Sequence, residues 1–194
     1  MMKTGSLLVT ISILLAVFTA SKAAAAIGDW TGNLNFTVGG KVLDGGDWEP
    51  VDGQVELGID VDFRPRSWPV GMAIGLRASR DEKDNVVVQG FEGTTKEMRL
   101  GLNRVWGPTA SLHPFIGGGL AVISAEIERS VPGSTERGHD TGTGLWLNGG
   151  MYWTFGAGVN LGFEVGYSQA RISLFGEKVD AGGTHAAVLM GLAW

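Results

Sequence analysis

The segment from Val51 to Phe63, VDGQVELGIDVDF, constrains this chain more than any other. Every second residue, Val51, Gly53, Val55, Leu57, Ile59, Val61 and Phe63, is apolar or glycine, and the residues between are acidic, amide or glycine. Successive side chains of a strand point to opposite faces, so this period makes one apolar and one acidic face, whereas a helix would scatter the same residues around its circumference. About 13 residues rising roughly 3.3 Å each, tilted near 40°, reach about 30 Å, the thickness of a bilayer core. Strands of soluble proteins usually run to about 5–6 residues.

Composition narrows the class. Glycine supplies 32 of 194 residues, about twice the ordinary ~7%, which suits crowded strand interiors and tight turns. The absence of cysteine excludes disulfides, thiolate metal sites, a cysteine nucleophile and lipid attachment at an N-terminal cysteine. The first 26 residues read as a secretory signal peptide. Lys3 is its basic region, Leu7 to Ala20 its apolar run, and the alanines after Lys22 its cleavage region. Cleavage is expected after Ala26, with Ala23 and Ala25 as alternatives. The run is shorter than the roughly 17–25 residues of a membrane-spanning helix, and no later stretch approaches that length. Removing residues 1–26 takes away Lys3 and Lys22, leaving 13 bases against 20 acids. No basic patch suits nucleic acid.

Residues 27–194 read as one domain of eight alternating strands: 30–42, 51–63, 70–79, 95–105, 112–127, 143–155, 159–172 and 184–194. Alternation in 112–127 is too weak to assign its facing. The segments Arg80 to Thr94, Glu128 to Gly142 and Ser173 to Gly183 read as loops, and the connections at RPRSWP, Gly107-Pro108 and Gly156-Ala157-Gly158 as short turns. On this topology Trp30, Trp68, Trp106, Trp153 and Trp194 gather at one rim, with Trp48, Phe91 and Phe175 near the other. Indole rings favour membrane–water interfaces, so the apolar faces are expected to meet lipid. The fold class is therefore all-β, an eight-stranded antiparallel up-and-down transmembrane barrel preceded by a cleaved signal peptide.

The leader, the eight alternating strands, the HPFIGGGLA segment and a last strand ending on an aromatic make the chain resemble the small eight-stranded outer-membrane barrels of the OmpA transmembrane-domain, OmpX and opacity-protein kind. The resemblance covers nearly all of the chain after the leader. It implies export through the Sec pathway to a bacterial outer membrane, contact with outer-membrane lipid, and a C-terminal signal for the barrel-assembly machinery made by Val188, Met190, Leu192 and Trp194. The glycine of that signal is displaced to Gly191, on the other face. No peptidoglycan-binding domain follows Trp194, so tethering to the cell wall is not expected.

An eight-stranded barrel is just wide enough for side chains to fill, so the inward polar residues matter. Pairing Phe63 with Val70 sets Glu56 opposite Arg77, with Arg99 and Glu97 beyond. Pairing Val42 with Val51 sets Lys41 opposite Asp52. Glu164 and, as a second candidate, Arg171 also point inward. The expected interior ionic network is Glu56, Arg77, Glu97, Arg99, Lys41, Asp52 and Glu164, a plug for the barrel or a salt-bridge gate for small ions. The histidines offer no catalytic site. His185 has Ala187 where lipid A deacylases of similar architecture carry the serine of a His-x-Ser pair. His139, with Asp140 and Ser134, falls in a polar loop, and His113 precedes Pro114 at a turn. No metal or cofactor motif appears: the Asp44–Asp47 cluster is a turn and Gly117–Gly119 is close packing. The sequence thus supports a non-enzymatic barrel meeting extracellular partners through 80–94 and 128–142, with a narrow pore or hydrophobic-ligand conduit as the alternative and a lipid-modifying outer-membrane enzyme as the third reading.

Overall fold

The computed structural model describes residues 29–85, 89–107, 111–131 and 134–194; the expected leader lies outside the described residues. The strands are β1 (Trp30–Val42), β2 (Gly53–Pro65), β3 (Gly71–Asn85), β4 (Gln89–Val105), β5 (Leu112–Val131), β6 (Ser134–Phe155), β7 (Val159–Leu174), β8 (Glu177–Asp180) and β9 (Gly183–Ala193), with one helical turn α1 (Gly45–Trp48) between β1 and β2. Eight of the strands close a ring in the order β1-β2-β3-β4-β5-β6-β7-β9. β9 seals it against β1 from Asn33↔Ala193 to Val42↔Thr184. β8 stands outside the ring as a short hairpin on β7.

The faces sort as the period-2 reading requires. Val55, Leu57 and Ile59 on β2, Met72, Ile74 and Leu76 on β3, and Met98, Leu100 and Leu102 on β4 are exposed, while Glu56, Arg77, Glu97 and Arg99 between them are buried. A belt of this kind around a ring without edges has lipid as its solvent. β5 gains a definite facing: Ile116, Leu120 and Val122 point out, and Ala121, Ile123 and Ala125 point in. Trp30, Trp68, Trp106 and Trp153 are exposed at the rim where the chain ends lie. Trp194 lies there too, its ring over Gly32, where a Cβ would come within 2.5 Å of it.

Several expectations need correction. The loops expected at 80–94 and 128–142 are strand at every described residue: β3 and β4 pair out to Asn85↔Gln89, and β5 and β6 out to Val131↔Ser134. Segment 173–183 contains β8. Apolar alternation stops there because the outward face leaves lipid for water, while the ladder continues. Phe63 pairs with Met72 rather than Val70, so Gly58, not Glu56, faces Arg77; Lys41 faces Gln54 because Val42 pairs with Gly53. Both slips are by two residues and keep every side chain on its face. Trp48 is 1% exposed, with its indole N–H donating to the Asp180 carbonyl at 2.7 Å. Phe91 lies on the inner side of its strand under Arg129, so only Phe175 of that expected trio is a rim aromatic.

Because the exposed faces of β2–β4 are solvated by hydrocarbon, Leu100→Arg should lower folding stability in lipid vesicles by about 2–4 kcal/mol. A urea titration measures this. An unchanged midpoint would place that face elsewhere.

Candidate functional site

The lumen is layered, and the layering follows from which inward residues each strand carries at each height. Nearest the chain-end rim, Asn33 donates to the Asp62 carboxylate at 3.0 and 3.1 Å, and Asn160 donates to the Asn33 and Asn35 side-chain oxygens at 2.9 and 3.3 Å. His113, expected at a turn, is buried on β5 and stacks on Tyr152 at 4.9 Å. A vestibule of about 320 Å³ lined by Asp62, Arg64, His113, Tyr152 and Thr154 opens at this rim. Above it lies a cavity of about 40 Å³ beside Asn35, Asp60, Trp146 and Glu164.

The next layer holds the charges. Arg77 bridges three carboxylates, Glu56 at 3.3 Å, Asp60 at 2.6 Å and Glu164 at 2.5 Å. Arg99 Nε donates to Glu97 at 2.6 Å, and its guanidinium lies 5.6 Å from the Trp146 ring centre. Lys41 donates to Thr95 Oγ1 and to the Ala181 carbonyl, both at 3.0 Å, with Glu97 at 3.7 Å. Gly58 makes room for this, because a Cβ there would sit 2.7 Å from Arg77 Cδ and 2.5 Å from Thr37 Oγ1. The structure therefore brings Glu56, Arg77, Glu97, Arg99, Lys41 and Glu164 together. It leaves out Asp52, which precedes β2 in the turn held by Val51 N–H donating to the Trp48 carbonyl; among the described residues no ion pair includes Asp52. Arg171 faces outward and is exposed, because Ala170 and Ile172 take the inward positions.

Three members of this layer were not foreseen. His185 Nδ1 lies 2.7 Å from Glu56, and its Nε2 lies 2.9 Å from Ser168 Oγ and 3.1 Å from Arg99 Nη2. Asp60 joins through Arg77. Ser168 reaches His185 across the β7–β9 ladder, where Gly166 faces His185, so no i+2 pattern could reveal the pair. Serine, histidine and carboxylate here have triad spacing. Yet Ser168 and His185 are buried, Ser168 is also 3.0 Å from Glu97, and an arginine competes for the same imidazole nitrogen. No reacting carbonyl could enter.

An apolar lid closes the lumen at the far rim. Leu43, Trp48, Ile123, Ile172, Leu174 and Ala181 form one buried cluster. Asp47 accepts from the Asp180 N–H at 3.1 Å, and Asp180 accepts from the Ala170 and Gly182 N–H groups at 3.1 and 2.8 Å. Among the described residues no group of three His, Cys, Asp or Glu side chains could hold a metal ion.

The closed ring has counterparts among solved structures. Neisserial surface protein A matches at 10% identity over 85% of this chain and 97% of its own, with a TM-score of 0.57. Ail, the attachment invasion locus protein of Yersinia pestis, matches at 13% identity over 85% and 97%, with a TM-score of 0.54. Its complex with the heparin analogue sucrose octasulfate matches at 11% identity over 85% and 97%, with a TM-score of 0.56. The outer membrane protein OprG from Pseudomonas aeruginosa matches at 12% over 86% and 96%, with a TM-score of 0.51.

The fold is that of the small outer-membrane β-barrels. No protein-family model and no curated protein matches the sequence. Identities this low establish shared architecture, so the chemistry of an outer-membrane barrel of this kind has to be read from this chain's own side chains.

Breaking a buried pair by removing one partner costs about 3–5 kcal/mol. Arg77→Ala should lose about that much in a urea titration of the vesicle-inserted barrel. Glu56→Ala added to Arg77→Ala should cost clearly less than the sum of the two, and strict additivity would show that the pair is not coupled.

Proposed function

We propose that the protein is a non-enzymatic integral barrel of a bacterial outer membrane that engages extracellular partners through a sheet projecting beyond the membrane. The projecting sheet carries this reading. β2 pairs with β3 only as far as Val55↔Arg80, and β7 pairs with β6 only from Gly144↔Ala170. Between those limits β3, β4, β5 and β6 continue as a four-stranded sheet, to Asn85↔Gln89 and Val131↔Ser134. From Gly144 to Ser134 the rise is about 30 Å along the strand. Its two sides, Asp81–Asn85 and Ser134–Arg137, are ladder edges, below which Arg171, Ser173 and Phe175 lie against Gly142, Asp140 and Gly138 of β6; an edge offers unpaired N–H and C=O groups to an incoming strand.

Charge selects among partners. Residues 80–94 and 126–142 carry eight acids and four bases, and the bases are engaged: Arg80 by Glu82 and Glu92, Lys83 by Asp81, Arg137 by Glu126 and Glu128, and Arg129 over Phe91. Ail is matched in a complex with a heparin analogue. The acidic sheet of this chain favours a basic protein surface over such a polyanion.

On this reading residues 1–26 direct Sec export and are removed, and residues 27–194 form the barrel. The barrel-assembly machinery takes the strand ending Val188, Met190, Leu192 and Trp194, and the tryptophans Trp30, Trp68, Trp106, Trp153 and Trp194 sit at the periplasmic headgroups. The charge layer and the Trp48 lid make the lumen a plug rather than a conduit. Unboiled protein from the outer-membrane fraction should migrate differently from boiled protein, and protease added to intact cells should cut between 80 and 142 while leaving the ring. Planar bilayers should show no discrete conductance for the parent; steady single-channel steps would instead support a pore. Recovery in the cytoplasmic fraction would sink the localisation.

A further inference from the structure

Just above the lipid belt, the outward face of β4–β7 has an unusual composition. Lys96 on β4 stands level with Ser124 on β5 and Thr141 on β6, and Thr143 and Arg171 continue the stripe one step lower toward β7; all but the half-buried Ser124 are exposed. Three strand spacings separate Lys96 from Arg171, about 14 Å. Only hydroxyl groups lie between these cations. Among the described residues neither Lys96 nor Arg171 has a carboxylate within 4.0 Å, whereas Glu126 one step higher and Glu82, Glu92 and Glu128 two steps higher are already engaged by Arg137 and Arg80.

The hydroxyls are organised. Thr141 Oγ1 donates to Ser124 Oγ at 3.0 Å, and Ser124 Oγ lies 3.0 Å from His139 Nε2. With Ser124 donating to Nε2, the ring presents its N–H at Nδ1 to the outside. This pair does not make a nucleophile and base. Glu126, opposite His139 on the ladder, turns to Arg137 at 2.9 Å, and the neighbouring backbone N–H groups are spent on the β4–β5–β6 ladders. What remains is a set of donors whose neighbouring acids are already satisfied, Glu126 by Arg137 and Asp180, opposite Arg171 on β8, by the Ala170 and Gly182 N–H groups.

Directly below runs a groove of about 670 Å³ in the outer wall, with Lys96 and Ser124 at its polar end and Leu57, Leu76, Met98 and Val122 along its length. Cations and hydroxyls at the mouth of an apolar groove, at the height where hydrocarbon gives way to water, complement an amphiphile with an anionic head. We propose that this face binds a phosphorylated lipid of the adjoining leaflet, its phosphates between Lys96 and Arg171 and an acyl chain in the groove. Such a lipid would orient the projecting sheet relative to the membrane surface.

Native mass spectrometry of the folded barrel released from neutral detergent tests this, with diphosphoryl lipid A, monophosphoryl lipid A and phosphatidylcholine as probes. Retention should fall in that order. Lys96→Gln or Arg171→Gln should each lower diphosphoryl lipid A retention roughly fivefold and the double variant roughly thirtyfold. Lys96→Arg should retain it fully, and Lys83→Gln, which removes a lysine paired with Asp81 on the projecting sheet, should change nothing. Equal retention by parent and double variant, or phosphatidylcholine held as well as diphosphoryl lipid A, would overturn the site. Displacement by inorganic phosphate would assign it to the free ion instead. A double variant that does not refold leaves the single variants to decide. Because the measurement uses purified barrel, its outcome is independent of whether fractionation upholds the outer-membrane reading.

Discussion

The whole structure depends on one requirement: in hydrocarbon every backbone N–H and C=O must find its partner within the protein. β9 meets that requirement for β1 and so removes the last edge. Once the ring is closed, the side chains have two solvents and the period-2 alternation assigns each residue to one of them. The apolar belt then follows, as does the burial of Glu56, Arg77, Glu97 and Arg99, because every second residue is forced inward whatever its polarity. Above the membrane the requirement lapses. There β3–β6 carry on with open sides that water can satisfy.

Forcing charge inward creates its own demand. A lone buried ion is costly, and pairing offsets that cost only with good geometry and filled hydrogen bonds. Arg77 answers by spreading two nitrogens over three carboxylates, and the absent side chain at Gly58 lets its stem lie flat against the wall. His185 completes the layer. Glu56, Glu97, Asp60 and Glu164 outnumber Lys41, Arg77 and Arg99 by four to three, and the imidazole provides a further donor to Glu56. A serine, a histidine and a carboxylate therefore meet here and satisfy one another where water is excluded.

Much of this was legible in the sequence, and the failures have physical causes. The eight strands of the ring, the facing of all but β5, and the inward placing of Glu56, Arg77, Glu97, Arg99, Lys41 and Glu164 came from alternation, which lipid enforces strictly. The lengths of β3–β6 did not, because Asp81, Glu82, Glu128 and Glu136 look like loop once the outward solvent is water. The registers slipped by two at the RPRSWP turn because β2 runs to Pro65 and the turn closes by Trp68 N–H donating to the Pro65 carbonyl. An even slip is invisible to the pattern, since both choices bury the same residues. Ser168–His185 and the burial of Trp48 depend on contacts between β7 and β9 and between α1 and β8. Local sequence carries no record of either.

Sealing the lumen also decides where recognition can happen. With Trp48 and its neighbours filling the far mouth and the charge layer beneath, nothing soluble reaches Ser168 or His185 from that side. The vestibule at the chain-end rim stops below Arg77. Polar chemistry meets the surroundings only where the belt ends: at the vestibule, on the outer wall between Lys96 and Arg171, and along the edges of the projecting sheet. The last two share β4, β5 and β6. A headgroup held at Lys96 and a strand added at Asp81–Asn85 would share one rigid ladder through β3 and β4, so the first would fix the height and tilt at which the second is presented. The continuous hydrogen-bonded ladder from the barrel wall into the projecting sheet is what would let the two act together.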